Sequence, residues 1–173
     1  LEERGLVDVS PTNGRRTVKR FGVQDIHELY TIRLALEPLG ARLAAERISD
    51  PQVRHLRTIL AEAQDGADVD DTAGRLAAGF RLHALICDAS GITRLARLLT
   101  NPWLQTRALL VQLEADGIRP AADDVGAPDS HALILDHLAR RDPVASEAAL
   151  AEHLRSVRDA LLEGPQLVGT RSG

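Results

Sequence analysis

Six histidines are spread along this chain of 173 residues, and three of them share one kind of placement. His83 falls on the stripe Leu76, Phe80, His83, Cys87. His131 falls on His131, Ile134, Leu138, and His153 on Leu150, His153, Val157, Leu161. Each stripe is apolar at steps of three and four, so each imidazole is expected on the inward face of a different helix. One inward histidine is most simply a neutral core group with a hydrogen-bond partner. Three on helices that must pack together cost desolvation unless something pairs with all of them. A divalent metal does so, because neutral imidazole is a common metal ligand. His83, His131 and His153 are therefore the candidate metal ligands. His27, His55 and His137 have polar neighbours and are expected near the surface.

Arginine supplies the other chemistry. Arg33 and Glu37 stand four apart in a helical stretch, as either an exposed ion pair or an inward arginine that offers a fork to a carboxylate. The spacing fits both. Arg107, just past Trp103, is a weaker candidate of the same kind for binding an acidic effector. Arg15 and Arg16 follow a turn, either as solvated residues or as a basic hairpin tip able to grip DNA phosphate or enter a minor groove. No glycine-rich phosphate loop, H-E-x-x-H or nucleophile elbow is present. Cys87 lies on an apolar stripe and reads as a small core residue. As the lone cysteine it excludes an intrachain disulfide and suits a reducing compartment.

The elements that position these residues are read from composition and period. Aromatic residues make up 2% of the chain and hydrophobic ones 44%, with Ala and Leu dominant, which disfavours an all-β fold and points to helices. The fold class expected is all-α, an antiparallel bundle of about six helices behind a short N-terminal β-hairpin. Gly5 to Val9 alternates, Pro11-Thr12-Asn13-Gly14 is a turn signal, and Arg15 to Arg20 returns. A hairpin alone is marginal and is expected to be the edge of something larger. Helices are expected over about 24–47, 50–64, 71–89, 92–115, 129–140 and 143–163. The first carries the stripe Leu29, Ile32, Leu36, Leu39, Leu43, with a kink or break near Glu37 caused by Pro38. Another bend is expected at Asn101-Pro102. Residues 65–71 and 116–128 read as loops and 164–173 as a frayed tail.

Net charge is −4, unlike a dedicated nucleic-acid binder, but it is uneven. Residues 1–20 hold five basic groups against three acids, a net +2, and the remainder is net −6. No membrane span or signal peptide is visible, so a cytoplasmic location is expected. Methionine is absent even from position 1, which suggests a longer natural chain.

Taken together, these pieces resemble GntR-type bacterial transcription regulators of the FCD subgroup. The resemblance rests on Leu1-Glu2-Glu3-Arg4-Gly5-Leu6-Val7 with Pro11, Gly14 and Val18, on Asp25-Ile26-His27-Glu28-Leu29-Tyr30, on Ile32 through Pro38, and on Leu43-Ala44-Ala45-Glu46-Arg47. It implies that residues 1–20 end a winged helix-turn-helix DNA-binding domain and that 21–163 form a helical effector-binding and dimerisation domain. It also implies a metal held by Asp-x-x-Phe-His on one helix and one histidine on each of two later helices. His83, His131 and His153 match the histidines, but Gly79 stands at the carboxylate position and Leu82 at the aromatic one. Zinc, nickel or a similar ion would then rest on three histidines, with water or effector completing the shell; a weaker site and a metal-free pocket are the alternatives. Arg33 matches an arginine that approaches the effector.

The implied mechanism is a homodimer in which a small organic acid meets the metal and Arg33 and shifts the spacing of two DNA-binding domains over an operator. With the helix-turn-helix missing, this chain alone is expected to show no sequence-specific DNA binding. Two other classes fit the histidines: a zinc-dependent hydrolase, for which no well-placed general base is visible, and a structural bundle with buried histidines.

Overall fold

The computed structural model describes residues 2–65, 72–118 and 128–163. Two short strands, β1 (Val7–Val9) and β2 (Arg16–Val18), pair antiparallel with Val7 opposite Val18 and Val9 opposite Arg16. Six helices follow: α1 (Val23–Ala45), α2 (Asp50–Asp65), α3 (Thr72–Ala89), α4 (Thr93–Ala115), α5 (Pro128–Ala139) and α6 (Pro143–Glu163). The expected all-α bundle with an N-terminal hairpin is the observed architecture. The expected loops at 65–71 and 116–128 and the tail at 164–173 fall largely or wholly outside the described residues.

Local chemistry sets several boundaries. The hairpin loop is closed by Ser10 N–H donating to the Arg15 carbonyl at 2.8 Å, and Gly14 takes the positive φ, +67°, that the turn demands. Ser49 caps α2: Ser49 Oγ accepts from Gln52 N–H at 3.4 Å, and the Gln52 side chain accepts from Ser49 N–H at 2.9 Å. Asp142 caps α6 by accepting from Ala145 N–H at 3.0 Å, with Pro143 at the first helical position.

α1 is the central helix and packs against α3, α4, α5 and α6. One apolar core joins its C-terminal half to α2, α3 and α5 through Ala41, Ala44, Leu56, Ile59, Ile86, Ile134 and Leu138. A second joins its N-terminal half to α4 and α6 through Ile26, Tyr30, Leu109, Leu113, Leu154 and Val157. Each fully buried Leu or Ile contributes on the order of 1.5–3 kcal/mol, so these layers hold the helices in register. Pro38 does not break α1, nor Pro102 α4: both helices run through them.

The face of α1 differs from expectation. Ile32 and Leu39 are 43% and 42% exposed, and the buried row is Ile26, Leu29, Tyr30, Arg33, Glu37, Gly40, Ala41, Ala44. Both rows obey helical spacing. The buried one wins because glycine and alanine let four neighbouring helices approach closely, and because its two charged residues neutralise each other.

Candidate metal and effector centre

His83 on α3, His131 on α5 and His153 on α6 are all buried. One ligating nitrogen from each lies within 4.8 Å of the others. The rings of His131 and His153 are 4.4 Å apart between centroids, and those of His83 and His153 5.2 Å. His83 Nε2 and His131 Nε2 are 3.3 Å apart. Zn–N bonds of about 2.0–2.1 Å place two tetrahedral ligand nitrogens about 3.4 Å apart, so this pair already has the spacing of a shared ion. The three candidate ligands are thus brought together, and among the described residues no carboxylate joins their group.

Outer partners aim two of the rings. Glu37 Oε2 stands 2.5 Å from His83 Nδ1. An ionised carboxylate can only accept, so Nδ1 carries the proton and Nε2 is the nitrogen turned toward His131. This is the carboxylate–histidine arrangement that orients ligands around a metal. On the opposite side, Ser130 Oγ is 3.0 Å from His153 Nδ1. Burial, followed by the neighbouring His131, His83 and Arg33, holds His153 well below its usual range, which keeps its imidazole neutral at pH 7.

Glu37 is fully buried and accepts from three directions. Arg33 Nε donates to Oε1 at 2.6 Å, Trp103 Nε1 donates to the same oxygen at 2.8 Å, and His83 holds Oε2. Burial pushes its carboxyl up, but the Arg33 charge, then His83 and the hydrogen bonds, outweigh this and bring it to about 2. Burial likewise lowers Arg33, yet Glu37 more than compensates and the guanidinium stays charged. It lies 4.9 Å from the Tyr30 ring centroid and 5.5 Å from that of Phe80. The Tyr30 hydroxyl is buried without a hydrogen-bond partner among the described residues.

The two readings of Arg33 and Glu37 are therefore decided: the pair is internal. Arg107 is not brought to the site. It is exposed on α4, one position round from buried Thr106, because the inward row of that helix runs through Leu99, Trp103, Thr106 and Leu110. Arg15 and Arg16 are exposed at the hairpin, and the closest partner of Arg16 is Glu2 at 3.9 Å. His27 and His55 are exposed and His137 is half-buried. Trp103, Tyr30 and Ser130 were missed as site residues. Tyr30 and Arg33 at i and i+3 gave a usable signal, since they share a face. Nothing in the sequence linked Trp103 or Ser130 to residues on other helices.

Residues 28–156 match the model of the FCD domain. The chain belongs to the FCD family. Among solved structures it is similar to McbR/YncC of E. coli, with a TM-score of 0.81 at 21% identity, over 94% of this chain and 79% of that one. A GntR protein of Streptococcus agalactiae gives 0.63 at 21% identity, over 92% and 77%. A GntR-family transcriptional regulator from Pseudomonas syringae gives 0.64 at 19% identity, over 92% and 64%. At these identities the likeness is one of fold. No curated protein matches the chain. Among the described residues no helix is long and apolar enough to cross a membrane.

Proposed function

We propose that this FCD chain is the effector-sensing part of a ligand-responsive transcriptional regulator and not an enzyme. His83, His131 and His153 would hold a divalent ion, zinc or nickel, and a small organic acid would complete its shell. The carrying observation is the convergence of three buried imidazoles from three helices, with Glu37 and Ser130 fixing two of them from behind. When bound, the ion supplies a Lewis-acidic anchor for a carboxylate. Arg33 is the nearby cation: its Nε is held by Glu37, and a guanidinium has five N–H donors in all. The bundle would act as a homodimer, and its exposed Arg15 and Arg16 would lie against operator phosphates.

Signalling requires that the acid bind one arrangement of the dimer better than another. α4 supports such a link, because it carries both Trp103, which touches Glu37, and Gln112, which holds the backbone of Phe21 next to the hairpin.

Elemental mass spectrometry on untagged protein tests the metal. Near-stoichiometric zinc or nickel, lost in His83→Ala, is the expected result. No metal after incubation with divalent ions overturns it. A metal-free effector pocket is the second reading. It rests on the 3.3 Å contact of His83 and His131, where one imidazole can donate to the other with no ion between them, and it makes Arg33 the anchor to test.

A further inference from the structure

The candidate ligands come from α3, α5 and α6, but the side chain that aims one of them is itself aimed from α4. Trp103 Nε1 donates to Glu37 Oε1 at 2.8 Å, and Arg33 Nε donates to the same oxygen at 2.6 Å. With two donors on Oε1, Oε2 is turned to His83 Nδ1 at 2.5 Å. The opposite ring nitrogen, His83 Nε2, then faces His131 Nε2 at 3.3 Å. A chain of hydrogen bonds thus runs from the indole, through one carboxylate, to the ring whose far nitrogen points into the cluster.

The two donors on Oε1 differ in what they can hold. Arg33 stands one turn before Glu37 on α1, and its long side chain can follow the carboxylate through several rotamers. A guanidinium fork also favours taking both oxygens of a carboxylate at once. That arrangement would draw Oε2 away from His83. Trp103 arrives from another helix and has only two side-chain torsions. Its ring is buried in a layer with Leu95, Leu99 and Cys87, which α3 and α4 share. The indole N–H is therefore a single donor with a fixed direction, and it holds Oε1 where Arg33 alone would let the carboxylate turn.

We infer that Trp103 is a positioning residue for the histidine site: its N–H fixes the rotamer of Glu37, keeps Arg33 from taking both carboxylate oxygens, and so holds His83 with Nδ1 on the carboxylate and Nε2 toward the cluster. A consequence for metal affinity rests on the metal reading above; the control of His83 by Trp103 requires no ion. With an ion present, a displaced Glu37 would let the imidazole turn and would cost affinity. Loss of an outer carboxylate weakens metal binding by about 10–100-fold, and Trp103 stands one step further out, so loss of its N–H is expected to cost about three- to tenfold.

Trp103 is the one tryptophan of the chain, so its indole can be exchanged without touching another position. In the full chain, 7-azatryptophan at position 103 keeps both shape and N–H, 3-benzothienylalanine keeps the shape with sulfur in place of the N–H, and Trp103→Phe keeps a smaller ring alone. In chelator, NMR of the ¹⁵N-histidine-labelled protein follows the His83 Nδ1 proton, assigned by its absence in His83→Gln. The unaltered chain and the 7-azatryptophan form are expected to show this proton far downfield and slow to exchange, as a short hydrogen bond to a carboxylate requires. The benzothienyl form and Trp103→Phe should show it moved upfield or lost to exchange. Co²⁺ titration, read by visible absorption, should give equal affinity for the unaltered and 7-azatryptophan forms and about three- to tenfold weaker binding for the benzothienyl form. An unchanged His83 proton in the benzothienyl form overturns the inference, whatever the metal does. A changed proton with equal Co²⁺ affinity overturns the consequence for the metal and supports the positioning of His83. No Co²⁺ binding by the unaltered chain overturns the metal reading, and the His83 proton then decides the inference by itself.

Discussion

Glu37 on α1 and His83 on α3 are joined by a buried hydrogen bond of 2.5 Å, and through it the central helix sets the orientation of a candidate metal ligand. The same carboxylate neutralises Arg33, so one side chain serves both the fold and the site. Glu37→Gln should separate these roles. Loss of the outer carboxylate is expected to weaken metal binding by about 10–100-fold. In chelator it should also cost about 3–5 kcal/mol of stability, because Arg33 is left as a buried unpaired charge. Urea unfolding reads the second effect. Adding Arg33→Met to Glu37→Gln should recover part of the loss; a further loss equal to that of Arg33→Met alone would show that the pair is not coupled.

The same carboxylate sets an acid limit on the metal-free protein. Its folded value is about 2, against 4.5 for the free side chain. A depressed folded value means that ionised Glu37 stabilises the fold fully above pH 4.5, and that this contribution is lost as pH falls from 4.5 toward 2. Among the described residues the groups facing it include Arg33, His83, Trp103, Tyr30 and Cys87. Chemical unfolding in chelator, followed across that window, should fall more steeply for the unaltered chain than for Glu37→Gln. Parallel curves would mean that other carboxylates account for the acid loss.

Two helical glycines should respond to alanine with opposite signs. At Gly40 a Cβ would meet Cys87 Sγ at 2.9 Å and Leu95 Cδ2 at 3.1 Å. Overpacking of about 1–3 kcal/mol exceeds the roughly 1 kcal/mol that alanine gains in a helix, so Gly40→Ala should lower the melting temperature. At Gly79 the nearest atom that a Cβ would meet among the described residues is His131 Cε1 at 4.0 Å, and Gly79→Ala should raise stability by about 0.5–1 kcal/mol. Scanning calorimetry of both variants in chelator checks the pair. A stabilising Gly40→Ala would mean that α1 and α3 can move apart at no cost.

The helices, the hairpin and the three histidines were legible because each depends on local spacing. The apolar stripes around His83, His131 and His153 have one inward face each, and the structure buries all three. The α1 face was not legible, since Ile32 and Leu39 satisfy the same period as the buried row. Only the packing of four helices around α1 decides between them. Arg33 and Glu37 show the same limit: an i,i+4 spacing reads alike on a wet face and a dry one, and the missing fact was that Trp103 and His83 arrive from other helices. Arg107 failed for a simpler reason. The inward row of α4 steps from Trp103 to Thr106 and Leu110, and position 107 turns to solvent.

α4 makes a second attachment that can be tested apart from the metal. The Gln112 side chain accepts from Phe21 N–H at 2.9 Å and donates to the Phe21 carbonyl at 3.0 Å, so one amide satisfies both backbone groups of a buried residue between the hairpin and α1. Arg20 adds an ion pair to Asp116, but both its partners are partly exposed and it contributes little. Gln112→Ala should therefore cost about 1–3 kcal/mol through two unsatisfied backbone groups, whereas Arg20→Ala should stay under about 1 kcal/mol. Hydrogen exchange gives the local readout. The Phe21 amide should lose protection in Gln112→Ala while the amides of α2, which lies in the other core, keep theirs. If effector binding acts through α4, adding acid and metal to the unaltered chain should change protection at Phe21 as well, and Gln112→Ala should abolish that change. Uniform loss of protection across both cores would instead show that Gln112 matters only to global stability, and the hairpin would have to be linked to the histidine site by another route.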